Sequence, residues 1–269
     1  MTNMILEPLK LEELINIFDE TAIRVLNYYM KKAILLQPET LVGQEPLPIQ
    51  IPKEHMEQWI LQAIGGKPVG AGNYPVDLIK DDSGFDIKML SCKVDKNGRL
   101  TNSDSGEASL AQKFIDSGTN LDQLFKDAKY DQIVDSWIHI LQDKFNKVIN
   151  KHNLKNIYYI FILRAKNTFY LCGTRVNVDQ IKYLKVKKSS GKSVFVDNLI
   201  DERFGNGKIY QSKKRLELRL KPAAWVNSNY TITFPIGFKV NSANIRQLIE
   251  QKEIDKLKSE IYNKLMTQE

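Results

Sequence analysis

Cysteine is scarce in this 269-residue chain: there are two, Cys92 and Cys172. They show neither the spacing of a metal site nor that of a disulfide framework. A reducing compartment, the cytoplasm, is the expected setting. The three histidines, His55, His139 and His152, form no cluster, which argues against a zinc site. No apolar run approaches the roughly 18–20 residues that cross a bilayer. Residues Met1 to Lys10 carry no basic region followed by an apolar core, so no signal peptide is expected. Helix-turn-helix, zinc-finger and RNP patterns, internal repeats and low-complexity tails are also missing. The glycine-rich stretch Gly65 to Gly72 has no trailing Lys-Ser/Thr and follows a helix pattern. It therefore matches neither a phosphate loop nor a dinucleotide fingerprint, and it reads as a flexible lead-in to the next strand.

What is present is ordinary in amount and uneven in placement. Hydrophobic residues make up 42% and charged residues 26%, the proportions of a globular chain. The net charge is +7, but residues 151–221 hold 17 Lys or Arg against 5 Asp or Glu, while the remainder holds 22 against 27. A block of this sign favours a polyanionic partner. The length suits a single domain over 1–269, with an N-terminal helical portion (1–52), a core (53–165) and a basic elaboration (166–269).

Periodicity orders the elements. Leu11, Leu14, Ile15, Phe18, Ile23, Leu26 and Met30 predict helix over residues 8–36, and four prolines between Pro38 and Pro52 predict an extended connector. A helix follows, beginning at Pro52 or Lys53 and running to Ile64, with Glu57 bordering its apolar stripe and Glu54 nearer solvent. Ser105 to Leu110 reads as a helix start, with Glu107 and Gln112 close behind the hairpin. Leu121 to Ile149 is helical with a break near Tyr130. The continuous run Ile157 to Leu163 reads as a buried central strand, and Thr168 to Gly173 as its partner. Arg175 to Lys221 contains short strand-like pieces with Tyr183, Phe195, Phe204 and Tyr210 interleaved, aromatics expected between the strands. Tyr230 to Lys239 is a further strand. Asn241 to Gln268 is a charged amphipathic helix, a support or dimer element.

The chemistry concentrates in residues 74–91. Two short apolar runs flank Asp81-Asp82-Ser83-Gly84, the pattern of a hairpin. Strand alternation points Asp86 and Lys88 to one face and Ile87 to the other. An antiparallel partner strand brings Asp77 beside Asp86. Two carboxylates of this kind suit Mg²⁺, which keeps several waters, and a lysine beside the ion can hold or deprotonate an attacking water. The plain alternative is a surface hairpin whose charges face water.

Pro75-Val76-Asp77, eight residues, then Asp86-Ile87-Lys88 resembles the PD-(D/E)xK nuclease signature, and among its members the type II restriction endonucleases. Val76 separates the proline from the aspartate, a departure at the more dispensable part of the pattern. The resemblance implies an α/β fold: a mixed β-sheet flanked by helices in an αββαβ core, here with an N-terminal helical portion and a basic, β-rich C-terminal elaboration. It implies a Mg²⁺ ion on Asp77, Asp86 and the main-chain carbonyl of Ile87, with Lys88 acting on the nucleophile. It also favours Glu57 over Glu54 as a further member of the metal site; an edge residue paired with a lysine is the other reading of Glu57, and Glu107 is either a further candidate for the site or a first-turn acid on its helix dipole. The implied activity is site-specific hydrolysis of double-stranded DNA by a homodimer in host defence, with a cognate DNA methyltransferase protecting the host genome and no membrane involved. Among the basic residues, Arg203, Lys213, Lys214 and Arg215 are the candidates for contacting DNA. The competing readings are a non-catalytic sequence-specific DNA-binding protein, and a PD-(D/E)xK nuclease of repair or recombination.

Overall fold

The computed structural model describes residues 4–45, 49–69, 75–102, 107–111, 120–236 and 241–266. In chain order the N-terminal part holds strand β1 (Leu6–Pro8) and helices α1 (Leu11–Ile17), α2 (Glu20–Leu35) and α3 (Lys53–Ile64). Strands β2 (Lys67–Pro68), β3 (Leu78–Lys80), β4 (Ser83–Ser91) and β5 (Glu107–Ala111) follow, then helices α4 (Leu121–Lys126) and α5 (Tyr130–His152). Strands β6 (Asn156–Ala165) and β7 (Thr168–Val176) form the next hairpin. Beyond a short 3₁₀ turn lie β8 (Lys185–Ser190), β9 (Ser193–Asp197), β10 (Gly205–Tyr210) and β11 (Arg215–Leu220). The chain closes with α6 (Pro222–Asn227), β12 (Ile232–Pro235), α7 (Ile245–Glu250) and α8 (Ile254–Met266).

The architecture is mixed α/β with two sheets. The first runs β1-β7-β6-β4-β3-β2, with β12 also on β7. Among the described strands of this sheet only β4 and β6 pair parallel, from Ser83↔Asn156 to Ser91↔Arg164; its other strand pairs are antiparallel. Strand β6 is buried along nearly its whole length, as its continuous apolar run requires of a central strand. The second sheet runs β5-β11-β10-β9-β8, antiparallel throughout.

Alternation in β4 and β6 divides the interior in two. Phe85, Ile87, Tyr158, Ile160 and Ile162 pack with the apolar stripes of α2 and α3. Leu90, Tyr159, Phe161 and Leu163 face the other way, onto Trp137, Leu141, Phe145 and Val148 of α5 and the inner face of the second sheet. Asp86 and Lys88 share the side of Leu90, so strand geometry alone delivers them to the face that α5 covers.

Several expectations need correction. The helix expected over 8–36 is a strand and two helices, divided at Phe18 and Asp19, where the Asp19 carboxylate accepts from the Ala22 N–H and caps α2. Residues 107–111 are strand β5, not a helix start; their partner, β11, lies more than a hundred residues away and supplies the ladder. The C-terminal helix is two helices, interrupted where Lys252 takes a positive φ of 57°. Lys67–Pro68 forms the edge strand β2 instead of a flexible lead-in. The break expected near Tyr130 is present: Ala128 has φ 53° between α4 and α5. Pro46, Pro48, Gly70 to Gly72, Tyr74, Ser105, Gly106, Gln112 and Lys239 lie outside the described residues.

Candidate active site

The β3–β4 hairpin turns on Asp81 and Asp82, between Lys80 and its partner Ser83. Asp81 takes φ 52°, a conformation that Asp tolerates better than most residues. The Asp82 carbonyl accepts from the N–H groups of Lys155 (2.7 Å) and Asn156 (3.3 Å), tying the turn to the start of β6. An ion pair between Lys155 and the Asp82 carboxylate (2.9 Å) holds that carboxyl below its ordinary pKa. Gly84 is required by packing: a Cβ there would stand 2.8 Å from Leu154 Cδ1 and 3.0 Å from Val76 Cγ1. Turn and glycine together fix the register that places Asp86 opposite Tyr159 and Lys88 opposite Phe161.

Asp77 lies where the hairpin ladder ends. Its N–H donates to the Phe85 carbonyl (2.8 Å), the last main-chain bond before Val76 and Pro75. The next N–H on β4, that of Ile87, donates to Asp77 Oδ2 at 2.6 Å. The side chain thus supplies the acceptor that the departing strand no longer offers, as a buried donor requires. Asp77 Oδ1 accepts from Lys53 Nζ of α3 at 3.3 Å, and the same ammonium pairs with Glu57 at 2.7 Å. Burial acting alone would lower the Lys53 pKa, but the hydrogen bond to Glu57 and the charges of Asp77 and Glu57 outweigh it and raise it. Glu57 is raised by burial and by the neighbouring Asp77, against the pull of Lys53. Glu57 thus pairs with a lysine, as one reading of it expects, and that lysine also reaches Asp77.

Asp86 is the buried member, its side chain 6% exposed. Lys88 Nζ donates to Oδ1. Lys144 Nζ, from α5, stands 3.9 Å from Oδ2. Desolvation raises the Asp86 pKa, with Asp77 adding to the rise; Lys88 and Lys144 oppose it without cancelling it. A carboxylate in this condition favours further positive charge beside it.

Lys144 was not singled out in the sequence. Its Nζ donates to the Leu110 carbonyl of β5 (2.6 Å) and to the Tyr159 hydroxyl (3.2 Å), and lies 5.2 Å from the Phe145 ring centroid and 5.6 Å from that of Tyr159. One signal marked it: it stands three residues after Leu141 and four before Val148, a lysine on the buried stripe of α5. Burial lowers its pKa from the ordinary 10.5 to about 8; Asp86 opposes the change, Lys88 adds to it and Asp77 opposes it.

The sign of the resulting pH effect is fixed. Between about pH 8 and 10.5 the unfolded chain binds more protons at this position than the folded one, so stability rises with pH through that window. At full extent the difference corresponds to roughly 3 kcal/mol. In EDTA, wild-type stability relative to Lys144→Met is expected to rise by on the order of 2–3 kcal/mol between about pH 7.5 and about pH 10.5. Urea unfolding at a series of pH values checks this; parallel curves for the two proteins would contradict it.

The donor set fits a hard divalent cation. Asp77 approaches from just before β3 and Asp86 from β4, and the burial of Asp86 is incompletely offset by the lysines. Mg²⁺ needs only one or two carboxylates when waters fill its remaining positions. Among the described residues no group of three or more His, Cys, Asp or Glu is arranged to hold a metal ion.

The other candidates lie on or beside the second sheet. Arg203 forks onto Asp201, with its closest contact at 2.7 Å. Lys213 pairs with the buried Glu217 at 3.1 Å, and Lys214 with Asp122 of α4 at 3.4 Å. Arg215 opens β11 opposite Tyr210. Of the interleaved aromatics only Phe204 is buried; Phe195 and Tyr210 are half-buried and Tyr183 is exposed, contrary to the expectation that all lie between strands. Among the described residues no helix is long and apolar enough to cross a membrane. A scan of protein-family models, a search of curated proteins and a search of solved structures each find no match to the chain.

Proposed function

We propose that the protein is a Mg²⁺-dependent endonuclease that hydrolyses phosphodiester bonds of double-stranded DNA at a defined sequence, in the manner of a type II restriction enzyme of the PD-(D/E)xK class. One observation carries the reading: Asp77, Asp86 and Lys88 converge at the open end of the β3–β4 hairpin, with Asp77 locked onto the Ile87 N–H and Lys88 onto Asp86. Setting aside β2, β5 and α4 as additions, the order α3, β3, β4, α5, β6, with β4 and β6 parallel, is compatible with the αββαβ core that such an enzyme would have.

Asp77, Asp86 and the Ile87 carbonyl would hold the ion. Bound there, Mg²⁺ supplies an acidified water and an offset for charge on the scissile phosphate. Lys88 is one-fifth exposed, against 6% for Asp86. Its ammonium orients the attacking water and adds positive charge where the transition state gains negative charge. Lys144, tethered to Leu110 and Tyr159, stands 3.9 Å from Asp86 Oδ2 and would help hold that carboxylate in place. Lys53 performs the same service for Asp77 and leaves Glu57 at the edge of the site. By resemblance the products carry 5′-phosphate and 3′-hydroxyl ends, a homodimer cuts both strands, and a DNA methyltransferase protects the host.

The test is incubation of unmethylated phage DNA with the purified protein in Mg²⁺ and in EDTA. Discrete fragments in Mg²⁺ alone are expected. A metal-dependent smear would keep the hydrolytic site and remove the sequence-specific assignment. Uncut DNA across several unmethylated genomes would favour a DNA-binding protein without catalysis.

A further inference from the structure

The second sheet has one apolar face; its other face is basic across β8 to β10 and carries one buried carboxylate on β11, Glu217, opposite Lys208 and paired with Lys213. Val194, Val196, Ile209, Leu216 and Leu218 point into the core. On the opposite face the register sets Lys188 of β8 across from Phe195 of β9, and Phe195 across from Lys208 of β10. Cross-strand partners project from the same side of a sheet, so these three side chains form one row. Both ammoniums stand over the same ring, Lys188 Nζ 4.7 Å and Lys208 Nζ 4.9 Å from the Phe195 centroid. The row continues along β10: Lys208 lies 4.2 Å and Lys213 4.6 Å from the Tyr210 centroid.

The chemistry of Lys188 and Lys208 differs from that of the other basic residues. Arg203, Lys213 and Lys214 each face a carboxylate, which neutralises much of their field. Among the described residues no carboxylate lies within ion-pair distance of Lys188 or Lys208. An aromatic face holds an ammonium in place through its quadrupole and leaves the full positive charge outward. Lys188 and Lys208 flank one ring from the strands on either side of it, and a polyanion laid across the row meets both charges. The rings are covered by ammoniums, so the row suits phosphates better than stacked bases.

We propose that this face is a docking surface for the sugar–phosphate backbone of duplex DNA, with Lys188 and Lys208 as phosphate contacts anchored on Phe195. The choice of DNA as the polyanion rests on the hydrolytic reading; the charged face does not. A connection to the active site is built in, because β5 belongs to this sheet and its Leu110 carbonyl holds Lys144.

The experiment is a salt titration of binding in EDTA, where no cleavage occurs, using a fluorescein-labelled duplex and its single strand. Each lost phosphate contact removes about 0.9 from the log–log salt slope, so Lys188→Gln/Lys208→Gln is expected to flatten it by about 1.8 and to weaken duplex binding by at least about tenfold at low salt. Lys188→Arg/Lys208→Arg is expected to keep the slope. Lys256→Gln/Lys258→Gln on α8, an equal change in net charge elsewhere, is expected to leave it unaltered. An unchanged slope in the first variant, or an equal flattening in the α8 variant, overturns the proposal. Tighter binding of the single strand with the same sensitivity also overturns it, in favour of a single-strand platform. Loss of the hydrolytic reading would show as uncut DNA with this slope change intact; loss of the docking face would show as cleavage with the slope unmoved.

Discussion

Lys88→Ala is expected to bind duplex DNA with near wild-type affinity and to cut it at least about a hundredfold more slowly, with a loss of up to about 10⁴-fold. The side chain is one-fifth exposed, and its removal leaves Asp86 with Lys144 and leaves the β3–β4 ladder untouched. Binding survives because phosphate contacts are many and Lys88 is one charge among them. The loss falls on the chemical step, where an ammonium beside the nucleophile has its largest effect. Single-turnover cleavage with saturating enzyme separates the two, since it reads chemistry after binding is complete. Equal losses in affinity and rate would make Lys88 a phosphate contact instead.

The largest expected stability effect belongs to Trp137→Ala. Trp137 is fully buried on α5, in the layer where that helix, β6 and the inner face of the second sheet share one core. Truncating a buried tryptophan costs its transfer free energy and leaves a cavity, about 3–5 kcal/mol in comparable sites. For a chain of this size that is a fall in melting temperature on the order of 10 °C. Because α5 also carries Lys144, the variant is expected to lose cleavage at temperatures where wild type remains active. Circular dichroism melts and urea curves check the value. A loss below about 1 kcal/mol would mean that α5 is not packed as described.

How much of this was legible in the sequence depended on distance along the chain. The α3 boundaries, the hairpin, β6 and β7 follow from patterns within a dozen residues: an apolar stripe, a turn between two short runs, a continuous apolar run. Strand β5 does not. Its five residues have no strong pattern, and what makes them a strand is the edge of β11, far downstream. For the same reason the second sheet was visible only as short strand-like pieces, and its row of Lys188, Phe195 and Lys208 emerges only once the register is known. The division of the N-terminal helix was signalled by Asp19, a good capping residue, but the apolar spacing continues through it and masks the break. In the site, strand alternation placed Asp86 and Lys88 together before any coordinates. Lys144 needed the packing of α5 on β4 and β6, although a lysine on a buried stripe was the clue. Lys53 needed the approach of α3 to Asp77.

The central claim is that the hairpin carboxylates hold the ion on which phosphodiester hydrolysis depends. The most direct test is the cleavage rate of unmethylated phage DNA as a function of Mg²⁺ concentration, for wild type and Asp86→Ala side by side. The account predicts a saturable Mg²⁺ dependence for wild type and no cleavage by Asp86→Ala at any concentration, with duplex binding retained in both. Equal, Mg²⁺-responsive cleavage by the two proteins would contradict it and move the chemistry away from the β3–β4 hairpin.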